Sequence, residues 1–133
     1  MRHVILASHH RFAEGLKDTL EFIGGVENVR AVCAYLDETP LDDLVADAFA
    51  KVGPEDEVLV LTDILQGSVN QAFAPYVGER VFLVAGVNVA CCLELVLMEG
   101  ALSAEAIEAV LAQAREAMVL VNTYAIEVGE DDE

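Results

Sequence analysis

Four short runs of aliphatic and β-branched residues, each followed by a turn and a helix-periodic segment, constrain this chain more than any other feature. The runs are Arg2 to Ser8, Val29 to Tyr35, Val58 to Leu61 and Val81 to Ala85. They are nearly continuous rather than alternating, the pattern of strands buried on both faces. After the first run, Phe12, Leu16, Thr19, Leu20 and Ile23 fall on one helical stripe, closed by Gly24-Gly25. After the second, Thr39-Pro40-Leu41-Asp42 has the form of a helix start, with Thr39 as cap, Pro40 at the first helical position and Asp42 completing a capping box. Leu41, Leu44, Val45, Ala48, Phe49 and Val52 supply that helix with an apolar face, and Gly53-Pro54 ends it. Ser68-Val69-Asn70-Gln71 repeats the capping-box pattern and opens a short helix expected to stop near Pro75, with Ser68 as its cap. A helix is expected over Cys91 to Met98. Another follows a Ser103 cap, with Ile107, Val110, Leu111, Ala114 and Met118 on one face. Tyr124 to Val128 reads as a last strand, and residues 129–133 as an acidic tail.

This alternation predicts an α/β fold: one domain over residues 1–128, with a doubly wound, mainly parallel sheet of order 2-1-3-4 and helices on both faces. The chain has 133 residues, one domain's worth. Its 24 Asp+Glu against 7 Lys+Arg give a net charge of -17, which argues against nucleic acid and anionic membrane surfaces, since both demand clustered cations. An acidic surface instead favours a basic protein partner by long-range attraction. No run of 18 apolar residues marks a membrane span, and Met1 to Ser8 reads as a strand rather than a signal peptide. Cys33, Cys91 and Cys92 are too few and too clustered for a disulfide framework or a zinc site, and a cytoplasmic protein is expected.

In open α/β sheets the site lies beyond the carboxyl ends of the strands, near the point where strand order reverses. Two turns there carry chemistry: Ala7-Ser8-His9-His10-Arg11-Phe12 after the first strand, and Leu61-Thr62-Asp63-Ile64-Leu65-Gln66-Gly67-Ser68 after the third. With the first and third strands adjacent, His9 and Asp63 come side by side. Neutral imidazole is a nucleophile at one nitrogen if the other keeps its proton, and Asp63 is placed to hold that proton. Helix starts after both turns offer free backbone N–H groups to a phosphate. Phosphoryl transfer needs mainly positioning and charge stabilisation, which such a site supplies. The chain has neither a Gly-x-x-x-x-Gly-Lys-Ser/Thr loop nor a Gly-x-Gly-x-x-Gly turn, so no nucleotide is implied.

At these residues the chain resembles the IIA component of the mannose-type bacterial sugar phosphotransferase system (PTS). The matching pieces, in order, are Ser8-His9 with Phe12-Ala13-Glu14-Gly15-Leu16, Glu27-Asn28-Val29, Val60-Leu61-Thr62-Asp63-Ile64-Leu65, Gly67-Ser68-Val69-Asn70, and Ala85-Gly86-Val87-Asn88-Val89 running into Leu93-Glu94-Leu95. The resemblance implies a phosphohistidine carrier. It would accept a phosphoryl group from the phosphocarrier HPr and pass it to a IIB component, which serves the membrane IIC/IID complex in sugar uptake. Mapped onto this chain, His9 is the phosphorylated residue and Asp63 its orienting carboxylate, with Ser68, Gly67 and His10 on the phosphate side. The resemblance also implies a homodimer that exchanges a C-terminal antiparallel strand, and it calls for no cofactor and no metal. Three departures from the family pattern stand out. His10 and Gln66 occupy usual glycine positions, and Ala90-Cys91 replaces a usual proline after Gly86-Val87-Asn88. Alternatives are a phosphotransfer subunit of the dihydroxyacetone-kinase type, a receiver-like signalling domain, and a metal-dependent hydrolase using His9, His10 and Asp63. The receiver reading lacks an acidic pair after the first strand and any lysine after Lys51.

Overall fold

The computed structural model describes residues 1–124. Four parallel strands, β1 (Arg2–His9), β2 (Val29–Ala34), β3 (Glu57–Thr62) and β4 (Val81–Ala85), form one sheet of order β2-β1-β3-β4, as the alternation of elements predicts. Parallel neighbours need crossovers, which α1 (Phe12–Gly24), α2 (Leu41–Phe49) and α3 (Ser68–Phe73) supply; α4 (Val89–Val96) and α5 (Ala104–Arg115) follow β4.

The two-sided burial of β1 shows why the runs are continuous. Val4 and Leu6 point to one face, where they meet Leu16 and Leu20 of α1, Leu95 of α4 and Ile107 of α5. Ile5 and Ala7 point to the other, against Val45 of α2 and Val69 and Phe73 of α3. Each fully buried aliphatic side chain on either face contributes about 1.5–3 kcal/mol. Cys91 and Cys92 are buried in the first of these cores, and all three cysteines are free thiols.

Several local expectations are corrected. On α1 the buried residues are Ala13, Leu16 and Leu20, while Phe12 and Ile23, both expected on the core stripe, are exposed. Gly25 ends α1 in the left-handed conformation, at φ 60°. Pro40, not Thr39, stands at the N-cap of α2 with no side-chain cap. The Asp37 side chain accepts from the Thr39 N–H instead and rounds off the turn ahead of the helix. Gly67, not Ser68, is the N-cap of α3, so no capping box forms there. As expected, α3 stops near Pro75, at Phe73; Pro75 itself sits inside a 3₁₀ turn over Ala74–Tyr76, where a missing N–H is harmless in a first turn. Ser103 does cap α5, accepting from Ala106 N–H at 3.1 Å, but that helix ends before Met118, which is exposed. The strand expected over Tyr124 to Val128 lies, beyond Tyr124, outside the described residues, and so does the acidic tail. Tyr124 itself closes a helical turn on Leu120. Among the described residues no helix is long and apolar enough to cross a membrane.

Candidate functional site

Strand register decides which residues meet at the carboxyl end of the sheet. Ala7 pairs with Thr62, and His9 pairs with Ala34. Asp63 and Tyr35, the residues that follow those partners, therefore emerge on either side of His9.

Two buried hydroxyls shape this edge. Ser8 is fully buried; its Oγ accepts from the Ala13 N–H at 2.7 Å and donates to the His10 carbonyl at 3.1 Å. It thus satisfies an orphan donor of the first turn of α1 from the strand before it. That N–H is then committed to the protein, and the start of α1 offers a phosphate less than the sequence suggests. Thr62, also fully buried, donates to the Val84 carbonyl at 3.0 Å and accepts from Asn70 Nδ2 at 3.1 Å, tying β3, β4 and α3 together. Asn88 caps α4 by accepting from the Cys91 N–H at 2.9 Å.

On this frame the His9 ring is held at both nitrogens. Nδ1 lies 2.9 Å from Asp63 Oδ2, and the same oxygen accepts from the His9 backbone N–H at 2.9 Å. Asp63 Oδ1 accepts from the Ile64 N–H at 3.0 Å. Burial favours the neutral form of this carboxyl, but the backbone and ring hydrogen bonds from His9, with the ring's charge, outweigh it and hold Asp63 below its usual range. The Asp63 side chain is 12% exposed and that of His9 36%, so the carboxylate stands behind the ring and the ring faces outward. Nε2 lies 3.3 Å from Ser68 Oγ, whose hydroxyl in turn lies 2.7 Å from the Tyr35 hydroxyl. The Tyr35 ring leans on the imidazole at 5.6 Å between centroids and 34° between planes.

Gly67 is close enough that a Cβ there would come within 3.2 Å of His9 Cε1. Its missing side chain is the space the ring occupies. His10 joins the site differently from the others. Its N–H donates to the Ala34 carbonyl at 2.8 Å, and among the described residues its ring makes no hydrogen bond to His9, Asp63 or Ser68. His10 and Gln66, the residues at usual glycine positions, have φ of 51° and 64°. Both turns therefore need the left-handed conformation that glycine adopts freely, and this chain reaches it with side chains in place. Tyr35 is left-handed too, at φ 68°, so three of the four non-glycine residues at positive φ among those described surround His9. Strain of this kind gathers where function over-determines the backbone.

The structure thus brings together His9, Asp63, Gly67 and Ser68. Tyr35 is the residue that sequence reasoning missed. The second apolar run reads as strand through Tyr35, whereas β2 ends at Ala34 and leaves Tyr35 in the turn beside His9. Among the described residues no group of three or more His, Cys, Asp and Glu is arranged to hold a metal ion. Chemically, the arrangement offers a nucleophilic nitrogen with its opposite face steadied by a carboxylate.

A family model described as PTS system fructose IIA component, EIIA-man, matches residues 3–121. Among solved structures, the chain is similar to a candidate phosphoenolpyruvate-dependent sugar PTS permease from Klebsiella pneumoniae, with 30% identity, 93% of each chain covered and a TM-score of 0.82. It shares its fold with the PTS IIA protein associated with the fucose utilization operon of Streptococcus pneumoniae, at 22% identity, covering 93% of this chain and 96% of that one, TM-score 0.79. The same holds for the mannose/sorbose-specific IIA subunit of Enterococcus faecalis, at 22% identity, covering 90% and 93%, TM-score 0.74.

Proposed function

The chain belongs to the EIIA-man family of PTS IIA components, which gives it a phosphotransfer role in the sugar PTS, and on that premise we propose that it is a phosphohistidine carrier working through His9. The observation that carries this reading is the 2.9 Å contact between Asp63 Oδ2 and His9 Nδ1. An ionised carboxylate only accepts, so Nδ1 keeps the proton and Nε2 presents its lone pair on the exposed side. Nε2 attacks the phosphorus of a phosphohistidine on HPr. The P–N bond to the donor breaks, and its electron pair returns to the donor imidazole. No proton leaves His9. The phosphorylated ring becomes cationic, and Asp63 stabilises that charge from behind. The reverse chemistry then hands the group to a IIB component, which serves the IIC/IID complex on the cytoplasmic side of the membrane.

A homodimer belongs to the same proposal. β4 pairs with β3 along one edge, and among the described residues its other edge carries no neighbouring strand. An apolar groove of about 340 Å³ runs beside it, lined by Phe82, Val84, Ile107 and Leu111. A strand from the C-terminal segment of a second copy fits that edge.

Incubation with phosphorylated HPr tests the carrier role. The protein acquires one acid-labile, base-stable phosphoryl group, His9→Ala abolishes it and His10→Ala retains it. Label that survives His9→Ala refutes the assignment.

A further inference from the structure

We propose that Tyr35 is a positioning residue for phosphoryl transfer, holding the Ser68 hydroxyl against Nε2 of His9 so that the serine proton is in place to meet the incoming group. The proposal rests on the reading of His9 as the phosphorylated residue. It starts from a direction that the geometry determines. Asp63 accepts from Nδ1, so Nε2 is an acceptor and the single Ser68 proton points to it, across 3.3 Å. With that proton committed, the 2.7 Å contact between Ser68 Oγ and the Tyr35 hydroxyl has only one polarity: tyrosine donates to serine. The chain of donors runs Tyr35 to Ser68 to His9 to Asp63.

Two further observations separate Tyr35 from a residue that merely packs. The residue is 49% exposed, and its ring stands against the imidazole at 5.6 Å, so burial alone does not account for its place. Its backbone is left-handed at φ 68°, a conformation that bulky residues avoid. The turn after β2 keeps an unfavourable backbone, and the result is a phenol aimed at Ser68.

The sequence of events follows from counting protons. When the Nε2 lone pair bonds to phosphorus, and the donor nitrogen takes back its electron pair, Ser68 loses its acceptor. Its proton turns to a phosphoryl oxygen. The Tyr35 hydroxyl, still donating to Ser68 Oγ, keeps that oxygen in place as the proton turns. Without the Tyr35 hydroxyl, the 3.3 Å contact to Nε2 alone holds the Ser68 hydroxyl at the ring, and that contact ends when the lone pair bonds to phosphorus.

Tyr35→Phe tests this, because it keeps the ring and removes only the oxygen. Three quantities are read: the rate of His9 labelling by phosphorylated HPr, the lifetime of the phosphohistidine, and the ¹⁵N shift of Nε2 before phosphorylation. The expected result is labelling slowed about three- to tenfold, the size of one lost hydrogen bond, with a shorter lifetime and a moved Nε2 resonance. In a Ser68→Ala background the same change has little further effect, since its path runs through the serine. Tyr35→Phe protein that matches wild type in all three readouts overturns the proposal, as does an undiminished effect in the Ser68→Ala background. These results leave the carrier reading intact. Absence of label on wild-type His9 overturns the carrier reading and this proposal with it.

Discussion

Asp63 Oδ2 takes two hydrogen bonds from the same residue, His9: one from the backbone N–H and one from ring Nδ1, each at 2.9 Å. The first locks the end of β1 to the end of β3. The second selects the tautomer and aims the ring. One oxygen thereby couples the fold to the chemistry.

Replacing Asp63 with alanine removes both. The imidazole is then free to rotate and to place its proton on either nitrogen, so the nucleophilic form is no longer enforced. Labelling by phosphorylated HPr falls by about a hundredfold or more, the scale of loss when a positioned acid–base partner is removed. Imidazole ¹⁵N spectra report the tautomer directly, and a variant that keeps both the wild-type tautomer and the wild-type rate contradicts the assignment.

Ser8→Ala acts on the frame rather than the ring. It leaves the buried Ala13 N–H unpaired and frees the His10 carbonyl. A cost of about 1–3 kcal/mol is expected, measured as a lowered urea midpoint. Labelling is also slower, because the turn carrying His9 loosens. A fully stable Ser8→Ala protein would show that the hydroxyl is dispensable there.

At the opposite end of the sheet, Asp56 accepts from the His3 ring and from the Gly53 N–H, both at 2.9 Å, and its carboxyl is held down at about 2. The His3 hydrogen bond is the largest cause, followed by the Gly53 N–H. A carboxyl whose pKa is lower folded than unfolded binds fewer protons in the folded state. Its stabilisation is therefore complete above the unfolded value, near 3.8, and is lost as pH falls through about 2. Urea midpoints of wild type and Asp56→Asn are expected to differ at pH 6 and to converge near pH 2. A gap that is the same at both pH values would rule this linkage out.

His10 and Gln66 hold left-handed backbones at φ 51° and 64°. A non-glycine residue there costs about 1–2 kcal/mol, and glycine gives back about 0.5–1 kcal/mol in chain entropy. His10→Gly and Gln66→Gly should each raise stability by about 0.5 kcal/mol on this balance, while Gln66→Val should lower it. Equilibrium denaturation measures both signs. Destabilisation by both glycine variants would mean that the native side chains make contacts worth more than the strain they impose.

Sheet order and the His9–Asp63 pairing were legible in the sequence for one reason. A strand buried on both faces has to be apolar throughout, so its ends are sharply marked by the first polar residues, Ser8-His9 and Thr62-Asp63. Helix ends were less legible. Thr39 and Ser68 have the composition of caps, yet a side chain that finds a better partner elsewhere leaves the role to its neighbour. Ser68 turns to His9 and Tyr35, and Gly67 begins the helix. Phe12 and Ile23 fit the helical stripe, but periodicity places residues on an angle and does not say how wide the covering layer is.

The sequence by itself therefore determined the alternation of elements, the parallel sheet and the two turns that carry the chemistry, because these depend on which stretches avoid water. Only the tertiary structure decided that Tyr35 completes the site, that Gly67 leaves the space filled by the His9 ring, and that His10 and Gln66 adopt left-handed backbones. The reason is register and side-chain packing: pairing His9 with Ala34 brings Tyr35, and the turn after β3 brings Gly67 and Ser68, to the His9 ring, and strand ends mark which turns are close but not which side chains in them touch.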